Sequence, residues 1–462
     1  MSCSGGLGSL LAQYDRPGPR YTSYPTAIEF DPTFDDGAYR QRLAAAAKNV
    51  HEPLSLYVHL PFCEARCAYC GCMVIATQKR EVAARYLDYL EREIEMLASH
   101  LGTRRRVVQH HWGGGTPTYL TLEQIERLHH IIARHFCLSP DAERAIEIDP
   151  RVTTCAQLQQ LRWLGFNRLS MGVQDFTPEV QEAIRRSQSE AQTRALYAFA
   201  RQIGFDSINM DLIYGLPRQT LAAFRRTLGS VVDMRPNRIA VYSYAHVPWL
   251  HPNQNTINVE DLPDRDLKFA LFASAVETFV GAGYQPIGMD HFALPDDELA
   301  VAARSRRLHR NFMGYTTRPA PDMLGVGFSA IGDVSGAFAQ NEKKLLHYYA
   351  ALDARRFPIA RGYVLSQDDR IRRYVITELM CNFAVSRASV RGRYGISFDD
   401  YFASELDQIT AEGGPVSDGF VALDDDGLAV TDRGRLFVRN ICMTFDRYLP
   451  SHQGRPVFSR TV

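Results

Sequence analysis

Four thiols stand within one short stretch of the sequence, Cys63-Glu-Ala-Arg-Cys67-Ala-Tyr-Cys70-Gly-Cys72. Thiolates at this density need cations. A structural zinc site is one reading, but such sites usually draw two separated cysteine pairs, so that the chain wraps a tetrahedron. No second pair lies nearby. The C-x3-C-x2-C spacing suits three corners of an iron–sulfur cubane, because a single loop reaches three irons and not easily the fourth. Cys63, Cys67 and Cys70 are therefore candidate ligands of a 4Fe-4S cluster whose fourth iron stays open for a ligand. Cys72 follows the third ligand too closely to be the fourth. The chain has nine cysteines; Cys3, Cys137, Cys155, Cys381 and Cys442 are scattered, which is no disulfide framework. These five read as buried small apolar side chains.

Two further features could meet a small ligand. Gly-Gly-Gly-Thr-Pro-Thr (113–118) is a turn whose bare backbone lets a ligand approach closely; the plain alternative is a tight turn and nothing more. Glu147 ends an apolar run, where a lone carboxylate is costly unless hydroxyls or cations meet it. A ribose diol would do so.

The elements that must position these residues alternate. From about residue 54, short β-branched or aromatic runs are separated by amphipathic helical stretches, the pattern of βα units around a parallel sheet. The predicted strands are 54–62, 107–112, 145–149, 168–176, 207–215 and 238–247, with helices between. One helix places Ala83, Tyr86, Leu87, Leu90, Ile94 and Leu97 on a single face. Another opens at Thr121, with Gln124 completing a capping box. Six such units predict an α/β fold built on a partial (βα)6 barrel, whose substrate face lies at the C-terminal ends of the strands. Around residues 51–250, which hold the barrel, the sequence predicts an N-terminal arm (1–50), a connecting region (251–360) that completes the active site, and a C-terminal accessory domain (361–462). In that last segment Ser366 and Asp369 begin a helix and GLAVTDRGRLFVRNI suggests a strand, a turn and a helix, a mostly helical, winged-helix-like arrangement.

The 462 residues are 45% hydrophobic and 23% charged, with a formal net charge of zero. That is an ordinary soluble composition with no overall pull toward nucleic acid or an anionic membrane. The N-terminus has no basic stretch ahead of an apolar run, and no apolar segment is long enough to span a bilayer. The expected location is the cytoplasm, and a monomer is the default state.

A C-x3-C-x2-C loop after the first strand of a partial barrel resembles the radical S-adenosylmethionine (SAM) superfamily. The segments GPRYTSYPTA (18–27), YVHLPFC…CAYCGC (57–72), HWGGGTPTYL (111–120), IEIDPR (146–151), SMGVQDF (170–176), NMDLIYGLP (209–217), GMDHFA (288–293) and NFMGYTT (311–317) narrow the resemblance to the oxygen-independent coproporphyrinogen III oxidase family. The resemblance implies a cluster that cleaves SAM to a 5′-deoxyadenosyl radical. It also implies two SAM molecules and the anaerobic conversion of two propionates of coproporphyrinogen III to vinyl groups, giving protoporphyrinogen IX in haem biosynthesis. An electron donor and an electron acceptor are needed, and the sequence names neither. Residue by residue, it implies that Gly114, Gly115, Thr116 and Glu147 contact SAM, that Tyr57 and Tyr69 contact its nucleotide part, and that Gln174, Arg186, Asp211, Ala245 and Ile331 contact a second SAM. For Ala245 and Ile331 plain core packing is the alternative reading.

The Cys-Gly-Cys ending resembles the true oxidases, whereas related haem chaperones typically carry an aromatic residue at the last position. Cys72 is accordingly expected to assist chemistry near the substrate. A haem-binding chaperone on the same scaffold is the rival function. The substrate is an apolar macrocycle fringed by carboxylates, so it asks for aromatic walls and guanidinium partners. Arg16, Arg20, Tyr21 and Tyr24 of the arm are expected to form a lid supplying both; the alternative is a solvated tail. Gly325-Val-Gly327-Phe-Ser-Ala330 partly matches a dinucleotide fingerprint, but without a surrounding βαβ unit it reads as a close-packed turn.

Overall fold

The computed structural model describes Tyr14, residues 16–103 and 105–452, Phe458 and Arg460. Cys3 lies outside the described residues. Two compact units divide the chain, one formed by residues 30–284 and 318–364, the other by the first 29 residues with 285–317 and 365–462. They cut across the four linear segments expected above, and the connecting region is shared between them.

The larger unit contains the predicted barrel. Its strands β1 (Leu54–Leu60), β2 (Arg106–Gly114), β3 (Cys137–Ile148), β4 (Arg168–Gln174), β5 (Ser207–Tyr214) and β6 (Arg238–Ser243) pair in chain order, each parallel to the next. Leu54, Leu56, Val58 and Leu60 of β1 are each at most 1% exposed, and the intervening Ser55 and His59 are buried too. Burial on both faces marks a parallel strand covered by helices. Those helices are α2 (Glu81–Leu101), α3 (Leu122–His135), α4 (Cys155–Trp163), α5 (Pro178–Ala183), α6 (Glu190–Gln202), α7 (Leu221–Met234) and α8 (Arg265–Gly281), preceded by α1 (Asp36–Ala46). The six predicted face residues of α2 are all buried. Thr121 and Gln124 make the expected capping box at the start of α3, and Thr154 and Gln157 make another at α4.

Among the strands not anticipated, four extend this sheet within the larger unit. β7 (Asp322–Val326) runs parallel beside β1 as a seventh barrel strand, and β8 (Ile331–Val334), β9 (Ala337–Asn341) and β10 (Ile359–Val364) extend the sheet antiparallel from it. The turn after β7 is the glycine pair singled out above. Gly327 has φ +100°, and a Cβ there would lie 2.4 Å from the Tyr86 hydroxyl and 2.8 Å from the His59 carbonyl. It is a close-packed turn, as expected.

Two cysteines depart from the burial predicted for them. Cys381 and Cys442 are buried, but Cys137 and Cys155 are exposed. Cys137 starts β3 and Cys155 occupies the first turn of α4, positions at element ends that the core does not cover.

The smaller unit gathers distant parts of the chain. Its apolar centre includes Ile287, Ala293, Leu299, Leu308, Tyr315 and Cys381. Ser366 and Asp369 form the predicted capping box of the helix Gln367–Asn382, and a three-stranded antiparallel sheet joins Ala384–Ser386, Gly427–Val430 and Val421–Leu423. The helix Val438–Thr444 follows, so the C-terminal region is mostly helical with a small wing-like sheet. Within this unit the arm is no solvated tail. Tyr14, Tyr21 and Tyr24 are 4%, 6% and 2% exposed. The Tyr21 hydroxyl donates to Asp446 (3.0 Å), Arg439 donates to the Pro19 and Gly18 carbonyls (3.1 and 2.6 Å), and Arg20 pairs with Asp290. That guanidinium and His291 hold the Asp290 carboxyl far below the carboxylate range, although burial opposes them.

Two expectations follow. Removing residues 1–30 takes three buried tyrosines out of the smaller unit, so limited proteolysis of the truncated chain should cut residues 365–452 well before 30–284; equal resistance of both would contradict this role for the arm. The second concerns Glu93, which is 2% exposed. It accepts from the Gly327 N–H (2.8 Å), the Asn341 amide (2.6 Å) and the Tyr348 hydroxyl (2.7 Å). Burial outweighs these bonds and pushes its carboxyl up to about 7. The folded protein therefore holds this proton more tightly than the unfolded chain. The associated stability is complete below the ordinary glutamate pKa and is lost as pH rises through about 7. Glu93→Gln should remove roughly 2–3 kcal/mol of pH dependence between pH ~5 and ~8, read from denaturant unfolding at the two pH values.

Candidate active site

The cysteine loop leaves the C-terminal end of β1 and is fixed at each thiol. Cys63 lies on the short strand Phe62–Cys63, and its sulfur is 3.4 Å from the Thr116 hydroxyl. Burial pushes the free Cys63 thiol up to about 11. Cys67, buried, accepts from Arg186 at 3.7 Å and from Arg151 at 3.8 Å. Cys70 accepts the Cys72 backbone N–H at 3.4 Å. The Cys72 thiol and that N–H lower the Cys70 pKa despite burial, and the same bond raises that of the exposed Cys72.

Arg151 and Arg186 are themselves organised by Asp149, 6% exposed just beyond β3. Its Oδ2 accepts from Arg151 at 2.6 Å and from Arg186 at 2.9 Å. Burial alone would raise the Asp149 pKa; the two guanidiniums overcome it and the carboxyl falls below its usual range. Two cations and one anion leave a net positive charge against Cys67. Asp149 and Arg151 lie in IEIDPR (146–151) and were not among the expected site residues. The signal available was an acidic and a basic residue at a strand end beside the loop that needs cations.

Among the described residues, no three His, Cys, Asp or Glu groups converge on a point that a single metal ion would occupy. A cubane does not require that, since each thiolate binds a separate iron. The donor set fits such a cluster: three cysteines from one loop, each sulfur supplied with a hydrogen-bond partner of the kind that tunes cluster sites.

The glycine turn braces the same loop. Gly115 N–H donates to the Leu60 carbonyl (2.9 Å) and Thr116 N–H to the Phe62 carbonyl (2.8 Å). Gly114 has φ +112°, and a Cβ there would come within 2.5 Å of the His59 ring. Its N–H donates to Glu147 Oε2 at 3.0 Å, while Glu147 Oε1 lies 3.2 Å from His111 Nε2. These two partners outweigh burial and lower the Glu147 pKa. The carboxylate is thus already partnered within the protein, contrary to the lone group expected. Its side chain is nevertheless 42% exposed, which leaves lone pairs open to further donors. Tyr57 shares a 3.0 Å hydrogen bond with His59 and stacks on His111 with ring centroids 5.9 Å apart.

The remaining expected contacts fall at neighbouring strand ends. Gln174 has φ +66° beside a register shift between β4 and β5, a left-handed backbone uncommon for a residue with a side chain. A Cβ on Gly172 would sit 2.9 Å from its amide nitrogen and 3.3 Å from Arg186, so these two groups share one space. Arg186 also donates to the Gly172 carbonyl at 2.7 Å. Asp211 accepts from Ser170 (2.7 Å) and Asn209 (2.8 Å). Arg186 and Asp211 are therefore engaged by protein groups. The Ala245 carbonyl accepts from Gln254 (3.3 Å), which also donates to the Tyr69 carbonyl (3.0 Å). Ile331 opens β8, and its carbonyl lies against Gly325, the β7 residue in register with Tyr57.

Comparison with known proteins gives this site its family. Residues 57–231 match the radical SAM superfamily and residues 365–437 match the HemN C-terminal domain. The chain is 48% identical over 455 residues to the oxygen-independent coproporphyrinogen III oxidase of Salmonella typhimurium, covering 98% of each. It is 47% identical to the Escherichia coli oxidase of the same name, again over 98% of each. A solved structure described as coproporphyrinogen III oxidase (HemN) from Escherichia coli, a radical SAM enzyme, superposes with a TM-score of 0.89 at 47% identity, covering 93% of this chain and 97% of that one. The chain belongs to the oxygen-independent coproporphyrinogen III oxidase family of the radical SAM superfamily.

Proposed function

We propose that this chain carries out the anaerobic oxidative decarboxylation of two propionates of coproporphyrinogen III, yielding the two vinyl groups of protoporphyrinogen IX. Each propionate loses carbon dioxide, one β-hydrogen and one further electron. The protein would work as a monomer in the cytoplasm, with two SAM molecules, a separate electron donor and an electron acceptor. One observation carries the reading: three thiols of the Cys63–Cys70 loop, each hydrogen-bonded, stand beside the Arg151–Asp149–Arg186 group in a chain matched end to end by oxidases of that name. Among the described residues no helix is long and apolar enough to cross a membrane.

When bound, the cluster on Cys63, Cys67 and Cys70 supplies an electron, and SAM supplies the carbon radical that takes hydrogen from an unactivated carbon, chemistry that side chains lack. The protein's own part is to hold charge and exclude alternatives. Arg151 and Arg186 donate to Cys67 Sγ and place positive charge beside it. Burial raises the Cys63 pKa, and the hydrogen bond with Thr116 works against that rise. Glu147 is held as an anion by His111 and the Gly114 N–H, and its exposed lone pairs suit a diol such as that of a ribose. The Cys72 thiol is hydrogen-bonded to Cys70, which raises its pKa, and the residue lies exposed, so it is offered to a substrate without being a ligand. The arm residues Arg20, Tyr21 and Tyr24 are tied to Asp290, Asp446 and the Arg447 backbone; a lid role for the arm would use those bonds as its hinge side.

Anaerobic incubation with reductant, SAM and coproporphyrinogen III should give protoporphyrinogen and carbon dioxide. Tight haem binding and transfer with no carbon dioxide would establish the chaperone reading instead. Cys72→Ser should keep the full iron content yet lose about 100-fold in decarboxylation, the scale of a positioned proton or hydrogen donor. Full turnover in that variant would leave Cys72 without a part in the chemistry. Glu147→Gln should raise the SAM concentration needed for half-saturation by about tenfold, the worth of one charge-assisted hydrogen bond.

A further inference from the structure

The turn Pro252–Thr256 follows β6 and carries three consecutive amide side chains, of which Asn253 and Gln254 reach the cysteine loop. Asn253 Nδ2 donates to three carbonyls, those of Cys67 (3.2 Å), Ala68 (3.0 Å) and Cys70 (2.9 Å). Gln254 Nε2 donates to the one between them, Tyr69, at 3.0 Å. Every carbonyl from Cys67 to Cys70 is thereby bound by one of two neighbouring residues. Gln254 is 2% exposed, and its Oε1 accepts the Val247 N–H at 2.6 Å, which sets the direction in which its amide donates. Asn253 Oδ1 is buried with no hydrogen-bond partner. An unpaired buried acceptor is costly, and rotating the amide would turn that oxygen onto three carbonyl oxygens. The residue is placed there for its donors.

We infer that Asn253 and Gln254 are positioning residues that clamp the backbone of the cysteine loop and thereby set where the Cys67 and Cys70 sulfurs stand for the cluster. The inference rests on the reading of those cysteines as cluster ligands. The loop is short of regular structure: between Cys67 and Cys70 the backbone bonds include the turn from Cys70 N–H to the Cys67 carbonyl at 3.3 Å and the bond from Ala68 N–H to the Ile184 carbonyl at 2.9 Å. The amide clamp holds the carbonyl ends of the peptide dipoles toward the 252–256 turn. Backbone N–H groups are left to serve the sulfurs, as Cys72 N–H does for Cys70, and hydrogen bonds to cluster sulfurs set redox potential.

The test uses full-length protein reconstituted anaerobically with iron and sulfide. Asn253→Asp keeps the shape, removes the donors and faces the carbonyls with an anion; Asn253→Ala removes the donors without that repulsion. Both should lose iron to a chelator about fivefold faster or more than the parent, and the electron paramagnetic resonance signal of the reduced cluster should broaden or shift, since misplaced ligand shells typically cost 10–100-fold in affinity or activity. Melting of the metal-free proteins should stay within about 3 °C of the parent. Asn253→Gln, with its donors one methylene further out, should keep part of the retention that the Asp and Ala variants lose. Parent-like iron loss and signal in both Asp and Ala variants would overturn the clamp, as would a fall in melting temperature matched by iron loss with an unchanged signal. Should the aspartate variant fail to fold, the alanine variant decides. A parent protein that takes up no iron would overturn the cluster reading itself, and with it the clamp.

Discussion

A sulfur that is to become an anion cannot be buried without a compensating charge, and the arrangement around Cys67 is shaped by that requirement. Cys67 is buried, and a charge placed on a buried atom loses its hydration. A single arginine would answer the charge but would bring its own desolvation cost. The fold uses two, Arg151 and Arg186, and places Asp149 between them to offset their mutual repulsion. Arg186 ties the same group to the Gly172 carbonyl on β4, so strands β3 and β4 are bound to the loop that follows β1 by one ionic group. Breaking such a buried group from one side leaves an uncompensated charge, which is far more damaging than never having had the pair.

The other side of the loop is governed by backbone proximity. Gly115 and Thr116 donate to carbonyls on either side of Pro61, and Gly114 passes so close to His59 that no side chain fits. That closeness delivers the Gly114 N–H to Glu147, and Glu147 in turn reaches His111 on β2. Three adjacent strands thus meet at their C-terminal ends through backbone hydrogen bonds and one carboxylate, the place where a barrel assembles a site.

Much of this was legible in the sequence where the physics is local. The six barrel strands announced themselves through short apolar runs, of which β1 is buried on both faces, and Thr121 with Gln124 marked a helix start that exists as written. The cysteine spacing pointed to the loop. What escaped depends on contacts between distant segments. β7 was missed because Asp322–Val326 is short and its Gly325-containing run reads as turn. Asn253 and Gln254 act on carbonyls, which every residue has, so nothing in the loop sequence asks for them. The partnering of Glu147 by His111 needs β2 and β3 in register. Cys137 and Cys155 were misplaced because small apolar character predicts burial only where an element is covered, and both lie at element ends.

The smaller unit has a property that concerns synthesis more than catalysis. Pro17 forms a bridge with Arg460, Tyr14 donates to Asp418, and Arg439 holds the Gly18 and Pro19 carbonyls. The first and last parts of the chain are therefore partners, whereas the barrel unit is complete by Val364. During translation from the N-terminus, the barrel can assemble while the arm waits, and the arm's tyrosines meet Asp418, Asp446 and the Arg447 backbone only when the C-terminal hundred or so residues have left the ribosome. A nascent chain carries those tyrosines unpaired through most of its synthesis, and they are what a chaperone would see first.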